Sequence, residues 1–209
     1  MNDAWIARRS LLGGAGLLLA GPLGAHAQTA KPRVAIQTSH GVIVVELEDK
    51  KAPITSANFL RYVDKKKFDG GTFYRASRAK GAPGNGSIQA GPSIRTRRFA
   101  PIAHESTKLT GIRHKVGTIS MARNEPGSAT ADFFICASPM AYLDAKPGAA
   151  SSSKMGDNQG FAAFGTVVKG MDVVRKILAS KTDGVPQNPS MQGQMINPPV
   201  AIVGVRRVA

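Results

Sequence analysis

Arg75 stands directly behind two aromatic residues, Phe73 and Tyr74, in the β-type run GTFYRAS over 71–77. A guanidinium stays protonated, so an arginine does chemistry as a fixed hydrogen-bond donor and cation, not as a base. In isolation the same residue reads as an ordinary exposed strand arginine, and the rest of the chain must decide between the two. There is no GxSxG, HExxH, Walker loop or CxxC. The single cysteine, Cys136, lies in the apolar run FFICAS and reads as a core thiol. His26 falls in a leader segment and His40 in a hairpin turn, while His104-Glu105 and His114 lie in an irregular section and are not read as a metal site. The chemistry expected of this chain therefore uses no metal, cofactor or covalent intermediate.

Rotation about a peptide bond is one reaction open to such residues, because it breaks no bond and needs only a stabilised twisted amide. Its barrier is about 18–20 kcal/mol, and at X-Pro it is slow enough to limit folding. Catalysis there asks for an apolar socket for the proline ring and one strong donor aimed at the imide nitrogen, whose lone pair becomes available only as resonance is lost. A donor that strengthens only in the twisted state lowers the barrier selectively. A guanidinium beside aromatic residues supplies it.

The elements that must position these residues are mostly short strands. RVAIQTSHGVIVVELEDKKAP gives two alternating runs joined at Ser39-His40-Gly41, a hairpin. APITSANFLRYVDKKKF follows, with Ile54, Ala57, Phe59, Leu60 and Val63 at helical spacing and a start at Pro53 or Thr55. GTFYRAS then runs into the Gly/Pro/Asn stretch RAKGAPGNGS, read as a loop, and emerges at SIQAGP. A polar, basic section shows little periodicity up to the strands VGTISMA (116–122) and ADFFICAS (131–138). A glycine-rich surface loop (145–160) precedes FAAFGTVV, then the helical GMDVVRKILAS, a Pro/Gln/Gly-rich loop and the strand PVAIVGVRRV. Phe59, Met121, Phe133 and Phe164 are expected in the core. Many short strands with two isolated helices predict a mainly β fold, a closed or nearly closed barrel capped by helices.

The first 30 residues carry a twin arginine (Arg8, Arg9), a glycine-rich apolar stretch and Ala25-His26-Ala27. That is the order of a cleaved signal peptide over 1–27, resembling a twin-arginine export signal, and its apolar run is too short to span a bilayer. Residues 28–32 read as a linker and 33–209 as one domain, which makes the protein an exported, periplasmic-type chain with no membrane anchor after processing. Removing the leader takes away Arg8, Arg9 and Asp3 and lowers the formal charge of +15 by one. Such a surface attracts polyanions, and a basic scaffold is one reading of it. The charges are scattered without interleaved aromatic platforms, so specific nucleic-acid binding is not expected. Nothing in the sequence demands more than a monomer.

The pieces TSHGVIVVELEDKKAPITSANFLRYV, GTFYR, IQAG, GTISMAR, ADFFICAS, YLD and FAAFGTVVKGMDVV occur in the order and rough spacing of the cyclophilin-type peptidyl-prolyl isomerases, which the chain resembles over about residues 33–207. The resemblance implies a closed eight-stranded antiparallel barrel capped by two helices, acting on X-Pro segments of folding proteins. It implies that Arg75 is the catalytic arginine and Gln89 the glutamine that steadies it. Phe134 would form the proline pocket, Leu143 its wall, and the backbone at Ala122 and Arg123 would grip the peptide. Asp132 stands where many relatives have glutamine and shares a strand face with Phe134; the hypothesis is that its carboxylate pairs with Arg75 and either orients or sequesters it. Tyr142 replaces a tryptophan linked to cyclosporin contact, which implies weak binding of that drug, and Phe161 replaces a pocket histidine. Gly86 and Ser87 stand in place of an aromatic residue and a methionine. That departure motivates a second reading, a proline-peptide binding module or holdase on the same barrel.

Overall fold

The computed structural model describes residues 30–146, 158–186 and 188–209. The expected signal peptide and most of the glycine-rich loop lie outside the described residues. Eight strands, β1 (Arg33–Thr38), β2 (Gly41–Leu47), β3 (Thr72–Ala79), β4 (Ala82–Gly91), β5 (Thr118–Met121), β6 (Phe133–Cys136), β7 (Ala163–Lys169) and β8 (Met195–Val208), close a barrel in the order β1-β2-β7-β5-β6-β4-β3-β8. Every neighbouring pair is antiparallel. The barrel is thus the one expected.

Two helices of two turns or more, α1 (Pro53–Asp64) and α3 (Met171–Leu178), pack on it, and the section without periodicity contributes a single turn, α2 (Thr107–Thr110). Helix α1 buries Thr55, Ser56, Asn58, Phe59, Leu60, Tyr62 and Val63. Of the apolar positions read at helical spacing, Ile54 and Ala57 are exposed. At 100° per residue they fall on the side opposite the Thr55, Phe59 and Val63 stripe, so three small polar residues take the inward places.

Ala52 at the N-cap has no side chain to accept a helix N–H. Glu105 does so from outside the helix: its Oε1 accepts from Ile54 N–H at 3.1 Å and its Oε2 from Thr55 N–H at 2.7 Å. A carboxylate at a helix N-terminus meets both the orphan donors and the positive end of the dipole. Glu105→Ala is expected to cost about 1–2 kcal/mol in urea unfolding, and Glu105→Gln less than that.

The stretch read as a loop after β3 is a hairpin. β3 continues to Ala79 and β4 starts at Ala82, with Ser77 opposite Ser87 and Arg78 opposite Gly86. Pro83, Gly84 and Asn85 are accommodated as a bulge where the register shifts after Arg78. Gly86 explains why this works: its φ is +142°, and a Cβ there would lie 1.9 Å from the Ser77 carbonyl oxygen. Arg78 pins the hairpin to the end of α3, donating from Nε to Leu178 O at 2.7 Å and from Nη2 to Ser180 O.

Alternation along the strands separates two apolar clusters. Ile88 and Ala90 of β4, Ile119 and Met121 of β5, and Phe133 and Ile135 of β6 fill the barrel with Phe59, Phe68, Phe73 and Phe164. The residues between them face outward, and there Phe134 and Cys136 of β6 join Met140, Leu143 and Phe161 in a second cluster. Cys136 is buried, as expected of a core thiol, and burial pushes its pKa up to about 12.

Candidate active site

The outer faces of β3, β4 and β6 form the floor of an open groove of about 1220 Å³, which Arg75, Gln89, Ala122, Arg123, Asp132, Phe134, Tyr142, Leu143 and Phe161 all line. These nine residues, the site residues named from the sequence, therefore line one groove. A bulge in β3 contributes to this. Phe73 pairs with Ala90 and Arg75 with Gln89, so Tyr74 is the extra residue. Phe73 and Ala76 point into the core, while Tyr74 and Arg75, adjacent in sequence, both line the groove.

Two amide oxygens hold Arg75. Its Nη1 donates to Gln89 Oε1 at 2.9 Å and its Nε to Gln194 Oε1 at 2.9 Å. Both acceptors are neutral, so the guanidinium is oriented without being neutralised. Burial lowers its pKa, and nearby Tyr74 and Tyr142 oppose that shift. Gln89 is oriented in turn, because its Nε2 donates to the Tyr74 oxygen at 2.7 Å and the Tyr74 hydroxyl donates to Asp132 Oδ1 at 3.2 Å. Burial raises the Tyr74 pKa, so the phenol keeps the proton that this chain requires.

Asp132 does not pair with Arg75 as expected. Its second oxygen takes Arg98 Nη1 at 3.1 Å, and it reaches Arg75 only through Tyr74 and Gln89. The tyrosine placed outward by the bulge stands between the two. Burial raises the Asp132 pKa above 3.8, and Arg98 partly offsets this. A carboxylate whose folded pKa is raised loses stability as pH rises from its unfolded value through the folded one. Asp132→Asn keeps the acceptor for Tyr74 and removes that titration. It is expected to hold kcat/KM for an Ala-Pro tetrapeptide within about twofold and to flatten the pH dependence of the melting temperature above pH 4, whereas Asp132→Leu breaks the chain to Gln89 and lowers kcat/KM.

The apolar end of the groove is built by packing. Phe134 meets Phe161 edge to face, with ring centroids 5.5 Å apart. Leu143 lies in the 3-10 turn Ala141–Leu143, and its carbonyl accepts from Phe161 N–H at 3.0 Å. Tyr142 stands at the rim, 64% exposed. Arg123 folds its side chain back over Phe161, with its guanidinium carbon 4.9 Å from the ring centroid, and donates from Nε to Gly160 O at 2.9 Å. Ser87 lines the groove where a larger side chain was noted as missing.

Gln194 and Met191 line or serve the site from the Pro/Gln/Gly-rich loop before β8, and the sequence reading missed both. Nothing in that loop's spacing ties it to Arg75, 119 residues earlier. His104 and His114 do not come together: the first bonds Gln159 O and the second Asp144. Among the described residues no group of three or more His, Cys, Asp or Glu is placed to hold a metal ion.

Residues 33–205 match the family described as cyclophilin type peptidyl-prolyl cis-trans isomerase/CLD. The chain belongs to the cyclophilin family. A peptidyl-prolyl cis-trans isomerase of Streptomyces antibioticus is 39% identical over 151 residues, covering 71% of this chain and 84% of the relative. One from Acinetobacter baylyi is 35% identical over 191 residues, 88% of this chain and 89% of its own. Like these cyclophilins and their relatives, the protein is a peptidyl-prolyl cis-trans isomerase. The fold is also that of a Cryptosporidium parvum cyclophilin, with a TM-score of 0.64, 18% identity and coverage of 86% of this chain and 98% of that one. A structure of that cyclophilin in the presence of the dipeptide Ala-Pro superposes with a TM-score of 0.63, also at 18% identity, covering 85% and 99% of the two chains.

Proposed function

We propose that Arg75 is the donor to the imide nitrogen, that Gln89 and Gln194 orient it, and that Phe134, Leu143 and Phe161 receive the proline ring. The backbone at Ala122 and Arg123 aligns the peptide. The observation that carries this reading is the held guanidinium: two amide oxygens at 2.9 Å fix Arg75 in the groove that Phe134 also lines. As the X-Pro amide twists, its nitrogen gains a lone pair, and a donor already oriented stabilises that state with no reorganisation of its own. No side chain carries a proton through the reaction.

The clients we propose are X-Pro segments of exported proteins as they fold, with the enzyme acting as a monomer outside the cytoplasm. The order of the N-terminal segment, twin arginine, apolar run and Ala25-His26-Ala27, supports this. Expression of the full chain in a bacterium, followed by fractionation and N-terminal sequencing, tests it. A product in the envelope fraction beginning at Gln28 is expected. Full-length protein confined to the cytoplasm would overturn the assignment.

A further inference from the structure

Behind Phe134, on the side away from the barrel core, lies a buried polar group that the mechanism above leaves unused. The His114 side chain is fully buried and that of Asp144 nearly so. His114 Nδ1 lies 2.7 Å from Asp144 Oδ1, and the same oxygen accepts from the His114 backbone N–H at 3.0 Å. A carboxylate only accepts, so Nδ1 carries the ring proton and Nε2 is left to accept from the Ser120 hydroxyl, 3.0 Å away. The order Asp, His, Ser copies the relay of a nucleophilic serine. Ser120 is fully buried, however, and no substrate can reach it.

What the imidazole does touch is the pocket. Its ring is stacked on Phe134, with planes 11° apart and centroids at 5.8 Å. It also brackets the turn that carries Tyr142 and Leu143. Met140 N–H, just before the turn, donates to the His114 carbonyl at 2.9 Å, and Asp144, just after it, is bonded to the ring and the backbone N–H. One residue thus braces two walls of the groove. We infer that His114, locked by Asp144 and Ser120, is the positioning residue that sets the Phe134 ring and the Tyr142–Leu143 turn for the incoming proline.

Burial lowers the His114 pKa, and Asp144 opposes the shift without adding a cation to the pocket wall. The other groups facing this cluster are Arg113, whose Nη1 is 3.5 Å from Asp144 Oδ2, and the buried Cys136 thiol, raised chiefly by burial. A neutral, doubly bonded ring can present only one face orientation to Phe134, whereas an apolar residue of similar size would be free to repack.

The inference rests on Phe134 being the proline seat, and the two are tested apart. His114→Asn removes the stacking plate. It is expected to raise KM for an Ala-Pro tetrapeptide on the order of tenfold, with a smaller change in kcat, and to shift and broaden the ring resonances of labelled Phe134 in the free protein. Ile36→Val and Ile36→Ala, buried in the barrel core, bracket the same loss of melting temperature and should leave KM and those resonances as they were. Unchanged KM and unchanged Phe134 resonances in His114→Asn would overturn the inference, as would an equal KM change in the Ile36 variants. If His114→Asn does not fold, Ser120→Ala releases Nε2 alone, and the same two signals must move in the same direction, by less, for the inference to stand. A Phe134→Ala variant with native KM would instead sink the reading of the pocket itself.

Discussion

Replacing Arg75 with alanine is expected to lower kcat/KM for cis-to-trans isomerisation of an Ala-Pro tetrapeptide by a factor of about 10²–10³, with folding stability little changed. A hundredfold loss corresponds to about 2.7 kcal/mol of a barrier of about 18–20 kcal/mol, which is the scale of one oriented donor acting only on the twisted amide. Stability should hold because the variant strands no buried charge: Gln89 keeps its bond to Tyr74, and Gln194 keeps its bond from Nε2 to Ser190 O. Arg75→Lys separates charge from geometry. An ammonium keeps the cation but cannot meet two amide oxygens as a planar fork and still aim a third donor into the groove, so the lysine variant should also lose most activity. Gln89→Ala and Gln194→Ala should each lose less than Arg75→Ala, because the remaining amide oxygen still holds the guanidinium. The measurement is the cis-to-trans rate with residues 28–209 and each variant. Native turnover in Arg75→Ala would place the catalytic donor elsewhere.

Neighbouring phenylalanines on β6 give the second large effect, because they point to opposite sides of one strand. Phe133 packs edge to face on Phe59, Phe68 and Phe73, with centroids 5.4–5.9 Å away. Phe133→Ala opens a cavity in the middle of the barrel and should cost about 3–5 kcal/mol in urea unfolding, while the fraction that remains folded keeps its kcat/KM. Phe134→Ala should show the reverse pattern. Losing a buried apolar seat of this size is worth about 1.5–3 kcal/mol to the bound proline, or roughly 10- to 100-fold in kcat/KM. The unfolding free energy should fall less than for Phe133, because Phe134 belongs to the smaller outer cluster beside the open groove. If the two variants lost activity and stability in equal proportion, the division into an inner and an outer cluster would carry no functional meaning.

The barrel and most of the site were legible because they rest on local pattern. Alternation marked the strands, and the same period placed Asp132 and Phe134 on one face. The family resemblance singled out Arg75, Gln89 and Phe134, all of which line the groove. What escaped notice depends on contacts across long stretches of chain. Glu105 caps a helix 50 residues away, Gln194 serves Arg75 from a loop without periodicity, and Asp132 finds Arg98 in a section that carries no strand or helix signal. The stretch 78–87 misled for a different reason. Its Gly, Pro and Asn residues are loop formers, but a hairpin can absorb three of them as a bulge and uses Gly86 where the two chains approach most closely.

The bulge at Tyr74 separates what the barrel requires from what the reaction requires. Phe73, Arg75 and Ala76 alone would satisfy the pairing with Ala90, Gln89 and Ile88 one for one along β4, so that edge does not need Tyr74. The residue is therefore an extra one in β3 whose side chain bonds into the site, to Gln89 and Asp132. A designer who pared the phenol from this one position would keep the container and lose the strut that sets the angle of its working part.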